Sequence, residues 1–428
     1  MKYERIGKEL FIRNRGLVAA QMKPKSLAVF CSNDIMPTSA DGTMPFRQDS
    51  DMLWMSGVDQ EESRLIVFPD NSKTAHKEIL FLKETSELIA IWEGAKLTKE
   101  QAFEVSGIRT VYWKEQFETV FAELMQEAET VYLNSNEHAR ASIEVETRTA
   151  RFNKWCKEHY RSHQYEKSAP LMHEFRALKH PLEVDLLQHA CNITEKGFRR
   201  ILDFVKPGVM EYEIEAEFMH EFLKNRSKGF AYEPIVASGS NACVLHYIDN
   251  NQECRSGDVI LMDVGAEYAN YASDMTRCIP VSGKFTDRQK KVYNAVLRVM
   301  KAATNMLRPG TVLGEYHKEV GLIMQSELME LGLISQHDID KQDPKNPAYR
   351  KYFMHGTSHF LGLDVHDVGL WDKPMQEGMV FTCEPGIYIQ EEGLGIRLEN
   401  DILVTKDKPF DLMKNIPLDA EEIENLMN

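Results

Sequence analysis

The stretch DVILMDVGAEYANYASDMTRCIPV, residues 258–281, has the pattern of a β-hairpin, with apolar, strand-favouring runs on either side of a turn. When the turn is centred between Tyr268 and Ala269, Asp263 and Asp274 lie directly opposite each other on the two strands. Cross-strand partners have Cβ atoms about 4.5–5.5 Å apart, and two like charges at that distance repel each other. Inside a core, such a pair of like charges requires a compensating cation.

A second hairpin repeats the arrangement. The stretch MVFTCEPGIYIQEEGLGIRLENDILV, residues 379–404, places Glu384 and Glu399 at equal distances from a turn at Glu391 and Glu392. Taken alone, either acidic pair is better explained by a strand end, a turn cap or a solvated face. Both pairs together, in hairpins that are otherwise apolar, favour a metal site.

The two hairpins end two copies of a larger pattern. In each copy a helical segment, a Pro-Gly break and a second helical segment precede a histidine and then the hairpin. The breaks lie at Pro207 and Pro309, and the histidines are His246 and His359. Because such self-similarity indicates a duplicated unit, we expect an α+β C-terminal domain with an internal pseudo-two-fold repeat.

The N-terminal part of the chain has a different pattern. SLAVF, SRLIVFP, EILFL and TVYLN are typical of strands, and KEQFETVFAELMQEAE has apolar residues at helical spacing. This alternation predicts an α/β domain. Residues 153–170 are predicted to form a loop-like connection, and a long helix is predicted to begin near Pro181. The predicted domains are residues 1–167 and residues 168–428.

Composition excludes several classes of partner. The 428 residues are 43% hydrophobic and 27% charged, as in ordinary globular proteins, and the net charge is −15. Such a charge disfavours nucleic acid and anionic membrane surfaces as partners. No apolar run approaches the roughly 18–20 residues of a membrane helix, and no secretory h-region begins the chain. Seven cysteines, none in a C-x-x-C pair, suggest reduced thiols. We therefore expect a cytoplasmic protein.

The stretch MHGTSHFLGLDVHDVG, residues 354–369, contains His355, His359 and His366. By itself this cluster is compatible with a structured loop of hydrogen-bonded imidazoles or with a metal site. One imidazole and four carboxylates form an oxygen-rich set that suits manganese, cobalt or iron. Because five ligands exceed the needs of one ion, we expect two ions about 3.5–4 Å apart that share bridging carboxylates and activate a bridging hydroxide. The remaining imidazoles would then face the substrate.

These motifs resemble those of the pita-bread metallopeptidases, which include methionine aminopeptidase, prolidase and Xaa-Pro aminopeptidase. The resembling ligand motifs are LMDVG, SDMTR, HGTSH, EPG and IRLEND, and PFRQDSDMLWMSG at residues 45–57 is similar to an N-terminal motif of Xaa-Pro aminopeptidases. The N-terminal part also resembles that of creatinase. The resemblance implies a creatinase-like α/β N-terminal domain, serving as substrate rim and in oligomerisation, before a pita-bread catalytic domain.

The resemblance also implies roles for individual residues. Asp263 would bind one ion, Asp274 and Glu399 would bridge, and His359 and Glu384 would bind the other ion. Glu384 would also shuttle protons. The other implied residues are His246, His355 and His366 at the substrate, with His366 at the scissile carbonyl, Arg397 behind the ligands, and Trp92 at a neighbouring subunit's site.

The resulting expectation is a cytoplasmic aminopeptidase that uses two divalent ions. Manganese is favoured, and cobalt, iron and zinc are also compatible. It would cleave peptides with proline in second position, and we expect a homodimer or homotetramer. Prolidase activity, which is limited to dipeptides, remains an alternative, because prolidases have the same ligand set. The short segment after Asp367 also lacks an arginine that many bacterial aminopeptidase relatives have. The third alternative for the protein is a non-catalytic peptide- or partner-binding protein on the same fold. For Trp92, simple packing within its own subunit remains an alternative role.

Overall fold

The structure is a computed structural model of the chain and describes residues 2–428. It divides into two compact units. One unit is Arg5–Arg176, and the other joins the short segment that ends at Glu4 to Ala177–Asn428. No helix among residues 2–428 is both long enough and apolar enough to span a membrane.

The N-terminal unit is built on a six-stranded sheet with the order β4-β3-β2-β1-β5-β6. Its strands are β1 Ser26–Cys31, β2 Arg64–Val67, β3 Glu78–Leu82, β4 Thr110–Trp113, β5 Thr130–Leu133 and β6 Gln164–Lys167. Its helices are α1 Lys8–Gln21, α2 Ser50–Ser56, α3 Glu87–Trp92, α4 Lys99–Ser106, α5 Phe117–Met125, α6 Arg148–His159 and α7 Ala169–Ala177. The four predicted strands and the predicted α/β class are confirmed.

The core of this unit lies between one face of the sheet and the helices α5 and α6. Phe117, Phe121 and Phe152 are buried there, and the ring centroids of Phe117 and Phe121 are 5.2 Å apart. The predicted loop at residues 153–170 was wrong, because it contains the end of α6 and the strand β6. An edge strand has one neighbour and stays largely exposed, so its polar sequence QYEK carries little strand signal. Whether the domain boundary lies at Lys167 stays a prediction.

The second unit carries the duplicated pattern. Its helices are α8 Pro181–Phe204, α9 Glu211–Lys224, α10 Asp287–Met306, α11 Leu313–Glu330, α12 Gln336–Asp340 and α13 Ala420–Met427. Its strands are β7 Ile235–Ser238, β8 Val259–Val264, β9 Glu267–Tyr268, β10 Tyr271–Ala272, β11 Met275–Pro280, β12 Val380–Cys383, β13 Gly386–Ile389, β14 Leu394–Arg397, β15 Asn400–Leu403 and β16 Phe410–Asp411. The long helix predicted near Pro181 is confirmed, with Pro181 in its first turn, where a proline costs no hydrogen bond.

Matching hydrogen bonds support the internal repeat. The amide of Gly208 donates to the carbonyl of Cys254 at 3.0 Å, and the amide of Gly310 donates to that of Met375 at 2.9 Å. Each contact lies in the break between two helices, α8 and α9 or α10 and α11, and each is followed by the first strand of a hairpin. Asp263 and Glu384 therefore occupy equivalent positions in the two halves.

The predicted register of the first hairpin was wrong. Asp263 pairs with Thr276 rather than with Asp274. The turn is centred on Ala269 and Asn270, which have φ of 54° and 68°, as in the two-residue type I′ turns of hairpins. The predicted centre was one residue too early. The alternation of apolar residues does not locate the turn, and the turn contains no glycine that would have indicated a positive φ. Asp263 and Asp274 still point to the same face of the hairpin, because Asp274 lies two residues, an even number, before the partner of Asp263.

The predicted register of the second hairpin is confirmed. Cys383 pairs with Asn400, and Gly386 pairs with Arg397. Both pairings keep the centre of the hairpin between Glu391 and Glu392. Glu384 and Glu399 therefore face each other in the short gap between the two ladders, where the amide of Leu398 donates to the carbonyl of Pro385 at 3.2 Å.

Candidate metal centre

The five predicted ligands come from elements that converge in the second unit. Asp263 lies in β8, Asp274 directly before β11, Glu384 directly after β12, and Glu399 directly before β15. His359 lies in an irregular segment beside β12, where the amide of Thr382 donates to its carbonyl at 3.0 Å. Strand ends thus supply the four carboxylates of the predicted set, so that rigid backbone fixes their positions.

Three of the five form a compact and buried group. One ligand atom each from Asp274, His359 and Glu399 lies within 4.8 Å of the other two. Nε2 of His359 is 3.5 Å from Oδ2 of Asp274 and 3.6 Å from Oε1 of Glu384. Nδ1 of His359 lies 3.0 Å from the carbonyl oxygen of Phe360, to which it can donate a proton. That tautomer leaves Nε2 unprotonated and available to a metal ion.

Tyr232 joins the other pair of carboxylates. Its hydroxyl oxygen lies 2.7 Å from Oδ1 of Asp263 and 2.6 Å from Oδ1 of Asp274. The two aspartates therefore meet at one point although they are not cross-strand partners. Sequence reasoning missed Tyr232, because it precedes the hairpin by a whole strand and matches no motif used in the prediction.

The electrostatics of the group test whether a cation fits. Burial raises the pKa of Asp263, Glu384 and Glu399, and the negative charges of neighbouring carboxylates raise it further. The pKa of Glu384 is raised to about 7. Burial alone would lower the pKa of His359, but Asp274 and Glu384 outweigh it and raise that pKa to about 9. An excess of buried negative charge on oxygen donors is the environment that hard divalent ions compensate.

Arg397 connects the two hairpins behind the ligands. It donates to Oδ2 of Asp263 at 2.6 Å and to Oγ1 of Thr276 at 3.1 Å. Thr276 in turn donates to Oε2 of Glu399 at 2.6 Å. A third bond runs from Arg397 to the hydroxyl of Tyr388 at 2.8 Å. Arg397 therefore holds two of the predicted ligands, Asp263 directly and Glu399 through Thr276. Sequence reasoning missed Thr276 and Tyr388, which complete this network.

His355 uses both ring nitrogens within the protein. Nδ1 lies 2.7 Å from the carbonyl oxygen of Gly356, and Nε2 lies 2.7 Å from the hydroxyl oxygen of Tyr388. Burial, followed by the charge of Arg397, lowers the pKa of His355 to about 3, so its imidazole is neutral near pH 7. Its Nδ1 is 3.9 Å from Oε2 of Glu384. The structure thus places His355 beside the predicted ligand Glu384.

The remaining predicted site residues are exposed. The ring of His366 lies 4.5 Å, centroid to centroid, from the ring of His359. His246 lies after the short 3-10 helix Gly239–Cys243 and is close enough for its charge to contribute to the lowered pKa of His355. Trp92 ends α3 in the N-terminal unit and is 79% exposed.

Comparison with known proteins agrees with this geometry. The chain is 35% identical to the Xaa-Pro aminopeptidase of Escherichia coli over 99% of its own length and 98% of that protein. Residues 185–406 match metallopeptidase family M24, and residues 11–132 match the N-terminal domain of aminopeptidase P. The chain belongs to the aminopeptidase P family of M24 metallopeptidases. The predicted metallopeptidase class is thereby confirmed.

Other members of the aminopeptidase P family are similar along most of the chain. The Xaa-Pro aminopeptidase 3 of Rattus norvegicus is 32% identical over 93% of this chain and 80% of that protein. Escherichia coli aminopeptidase P, solved with the inhibitor Pro-Leu, superposes with a TM-score of 0.88 at 34% identity, with 99% of each chain covered. An aminopeptidase P-type protein of Bacillus anthracis gives 0.92 at 31% identity, covering 99% of this chain and 98% of that one. The predicted creatinase-like and pita-bread fold is confirmed.

Proposed function

We propose that this chain hydrolyses the bond between the N-terminal residue of a peptide and a following proline. It would do so with two divalent metal ions, and manganese is favoured. The ligands proposed for these ions are Asp263, Asp274, His359, Glu384 and Glu399. The observation that carries the proposal is the convergence of their donor atoms, with Asp274, His359 and Glu399 within 4.8 Å of one another.

The proposed ligands differ in how far solvent reaches them. The side chain of Glu384 is 20% exposed, whereas those of His359 and Asp274 are 4% and 7% exposed. When bound, divalent ions supply Lewis acidity and lower the pKa of water. Glu384 is then the carboxylate that can carry a proton from the attacking water to the leaving amine. Its exposure to solvent, which is greater than that of His359 or Asp274, supports this role.

The exposed histidines are proposed to contact the substrate. A neutral imidazole can donate to the oxyanion that develops at the scissile carbonyl. His366 lies beside the ligand His359 and is exposed, which supports this role for His366. His246 is also exposed and is proposed to line the substrate site. His355 is proposed to act beside them through its contact with Tyr388.

Proline specificity is proposed from the relatives named Xaa-Pro aminopeptidase. A peptide bond before proline has no N–H, so an enzyme that cuts it must recognise the ring and the free N-terminus instead. The test is to give Ala-Pro and Ala-Pro-Ala-Ala to the purified, metal-reconstituted protein and to follow the products by mass. Cleavage of both, with the tetrapeptide preferred, supports an aminopeptidase.

The other outcomes separate the alternatives. Cleavage of Ala-Pro alone would make the protein a prolidase. Cleavage of Ala-Ala-Ala-Ala at the same rate as Ala-Pro-Ala-Ala would remove the proline specificity. Failure to cut any of these peptides with manganese, cobalt, iron or zinc bound would refute the proposed activity.

Trp92 is proposed to contribute to the substrate site of a neighbouring copy in a homodimer or homotetramer. The helix α3 has no buried residue, and Leu88, Ile91 and Trp92 are 65%, 78% and 79% exposed. Exposed apolar patches of this kind are typical of interaction surfaces. In the substitution Trp92→Ala we expect a raised KM for Ala-Pro-Ala-Ala without loss of bound metal. An unchanged KM would leave Trp92 outside the substrate site. The cytoplasmic location stays a prediction.

A further inference from the structure

A buried ion pair lies beneath the histidine-containing segment of the site. Nζ of Lys179 is 2.9 Å from Oδ2 of Asp367, and each side chain is 1% exposed. Lys179 precedes α8, and its amide donates to the carbonyl of Gly378 at 2.9 Å. The pair therefore joins the segment that enters α8 to residues 359–369, which begin with the proposed ligand His359.

We propose that Lys179 and Asp367 are positioning residues that hold His366 at the reacting carbonyl. This inference rests on the proposed function, since it assumes that His366 contacts substrate. Asp367 follows His366 directly in the chain, so a displacement of Asp367 moves the backbone that carries the imidazole. The lysine would act through Asp367 without touching the substrate.

The backbone around the pair is arranged to fix Asp367. Its amide donates to the carbonyl of Phe360 at 2.9 Å, and its Oδ1 accepts from the amide of Val368 at 2.9 Å. Nδ1 of His359 also lies 3.0 Å from the carbonyl oxygen of Phe360. The carbonyl of Phe360 therefore contacts both the imidazole of His359 and the amide of Asp367. Through this carbonyl, His359 is linked to the residue that directly follows His366.

Gly362 leaves the space that the pair occupies. A Cβ atom at Gly362 would lie 2.0 Å from Oδ2 of Asp367 and 2.8 Å from Nζ of Lys179. The segment 359–369 therefore closes over the ion pair only because residue 362 lacks a side chain. The amide of Ala272 donates to the carbonyl of Gly362 at 2.8 Å, which attaches this closed segment to the first hairpin.

Energetics favour a positioning role over a purely stabilising one. Desolvation of two charges offsets much of their attraction, and apolar residues of similar volume often stabilise a fold equally well. A buried pair is useful where it selects one geometry among several packed alternatives. Here the geometry to be selected is the position of His366, which directly precedes Asp367 and whose ring lies 4.5 Å from that of His359. The proposed role of His366 gives a reason to fix that position.

The test is a double-mutant cycle on Ala-Pro-Ala-Ala hydrolysis. We expect K179M to lower kcat roughly 10–100-fold with little change in KM, because small misplacements of a group that stabilises the transition state have effects of this size. In the H366A background K179M should then cause no further loss, since its effect passes through His366. An equal additional loss in that background, or an unchanged kcat in K179M, would overturn the proposal.

A second variant and a control separate positioning from folding. K179M leaves Asp367 without its charged partner and can unfold the protein, so K179M/D367N removes both charges. It should remain folded and still have a reduced kcat; a wild-type kcat would overturn the proposal. The control is R176M, which breaks the ion pair of Arg176 with Asp51, at 2.8 Å in the N-terminal unit. R176M should lower stability and leave kcat unchanged; a similar kcat loss there would also overturn the proposal.

A readout without turnover distinguishes this inference from the proposed function. Diethyl pyrocarbonate modifies accessible imidazoles, and peptide mass identifies modified His366. His366 is already exposed in the wild type, so we expect its modification rate to change in K179M/D367N, as the imidazole leaves its fixed position, and to stay unchanged in R176M. If wild-type protein cleaves none of the peptides, the proposed function fails, and the modification rates alone decide whether the ion pair positions His366. Equal rates in the wild type and K179M/D367N would overturn the inference.

Discussion

The two hairpins of the second unit have equivalent backbones and different acidic positions. In the second hairpin Glu384 faces Glu399 across the strands, as the matched pairings on either side require. In the first hairpin Asp263 faces Thr276, and Asp274 lies two residues before that threonine. Thr276 therefore occupies in the first half the place that Glu399 occupies in the second.

These two equivalent residues also contact each other. Thr276 donates from Oγ1 to Oε2 of Glu399 at 2.6 Å, and the amide of Glu399 donates to the carbonyl of Thr276 at 3.1 Å. The contact between equivalent residues lies where the two halves meet. A glutamate at both positions would add one more negative charge to a group whose pKa values are already raised. The difference shows how a duplicated backbone came to support one asymmetric site.

The largest expected effect comes from Glu384, the equivalent of Asp263. E384Q should reduce kcat for Ala-Pro-Ala-Ala about 10²–10⁴-fold, the usual contribution of a general acid or base. The metal-free variant should unfold at the same or a higher urea concentration, because the substitution removes one of several buried like charges. E391Q, at the exposed tip of the same hairpin, is the control and should retain activity. Wild-type turnover in E384Q would show that another group moves the proton.

A smaller effect is expected at the contact between the halves. T276V removes the donor to Glu399 and the acceptor for Arg397, so both lose an orienting partner. Metal affinity, measured by competition with a chelator, should fall about 10–100-fold, as for other residues that orient metal ligands. T276S keeps the hydroxyl and should bind metal nearly as well as the wild type. Equal losses in T276V and T276S would show that the methyl group, and hence packing, matters instead.

The first hairpin has a buried thiol at a position where the second hairpin has a carboxylate. Burial raises the pKa of Cys278 to about 12, whereas the equivalent position in the second hairpin is Asp401. The folded pKa is above the unfolded value, so this contribution to stability is complete below about pH 9 and is lost as the pH rises toward 12. At pH 10 the loss is about 1.5–2 kcal/mol.

Urea unfolding at pH 7 and pH 10 measures this loss. C278A should show a smaller decrease in the free energy of unfolding between the two pH values than the wild type. An identical decrease in both would mean that other groups cause the alkaline instability.

The smallest effects are expected at the two turns. Ala269 has a positive φ of 54°, so A269G should raise the free energy of unfolding by about 0.5–1 kcal/mol by relieving the left-handed conformation. Gly393 has φ of 58°, and a Cβ there would lie in ordinary van der Waals contact with Ser240, 3.5 Å from its Cβ, so that the left-handed backbone is the main cost; G393A should therefore lower the free energy of unfolding by about 1 kcal/mol. Urea unfolding of both variants measures the difference. Destabilisation by A269G would argue against the type I′ turn.

The sequence by itself determined the features that depend on local pattern. Pro181 set the start of the long helix, and the apolar runs set most strands of both units. The symmetric spacing around Glu391 and Glu392 placed Glu384 opposite Glu399. The motifs also supplied the complete set of proposed ligands and the family. These features are encoded within a few residues of one another, where propensity and hydrophobic period act directly.

Tertiary structure alone decided the features that join distant segments. The first turn depended on a positive φ at Ala269, which no glycine announced. Tyr232 reaches two carboxylates from outside the hairpin, and Lys179 reaches Asp367 from the other end of the unit. Such contacts exist only after packing has brought these segments together and excluded water, because burial makes an unpaired polar group costly. The sequence thus specified the proposed ligands, whereas packing specified the groups that contact them and the segments that carry them.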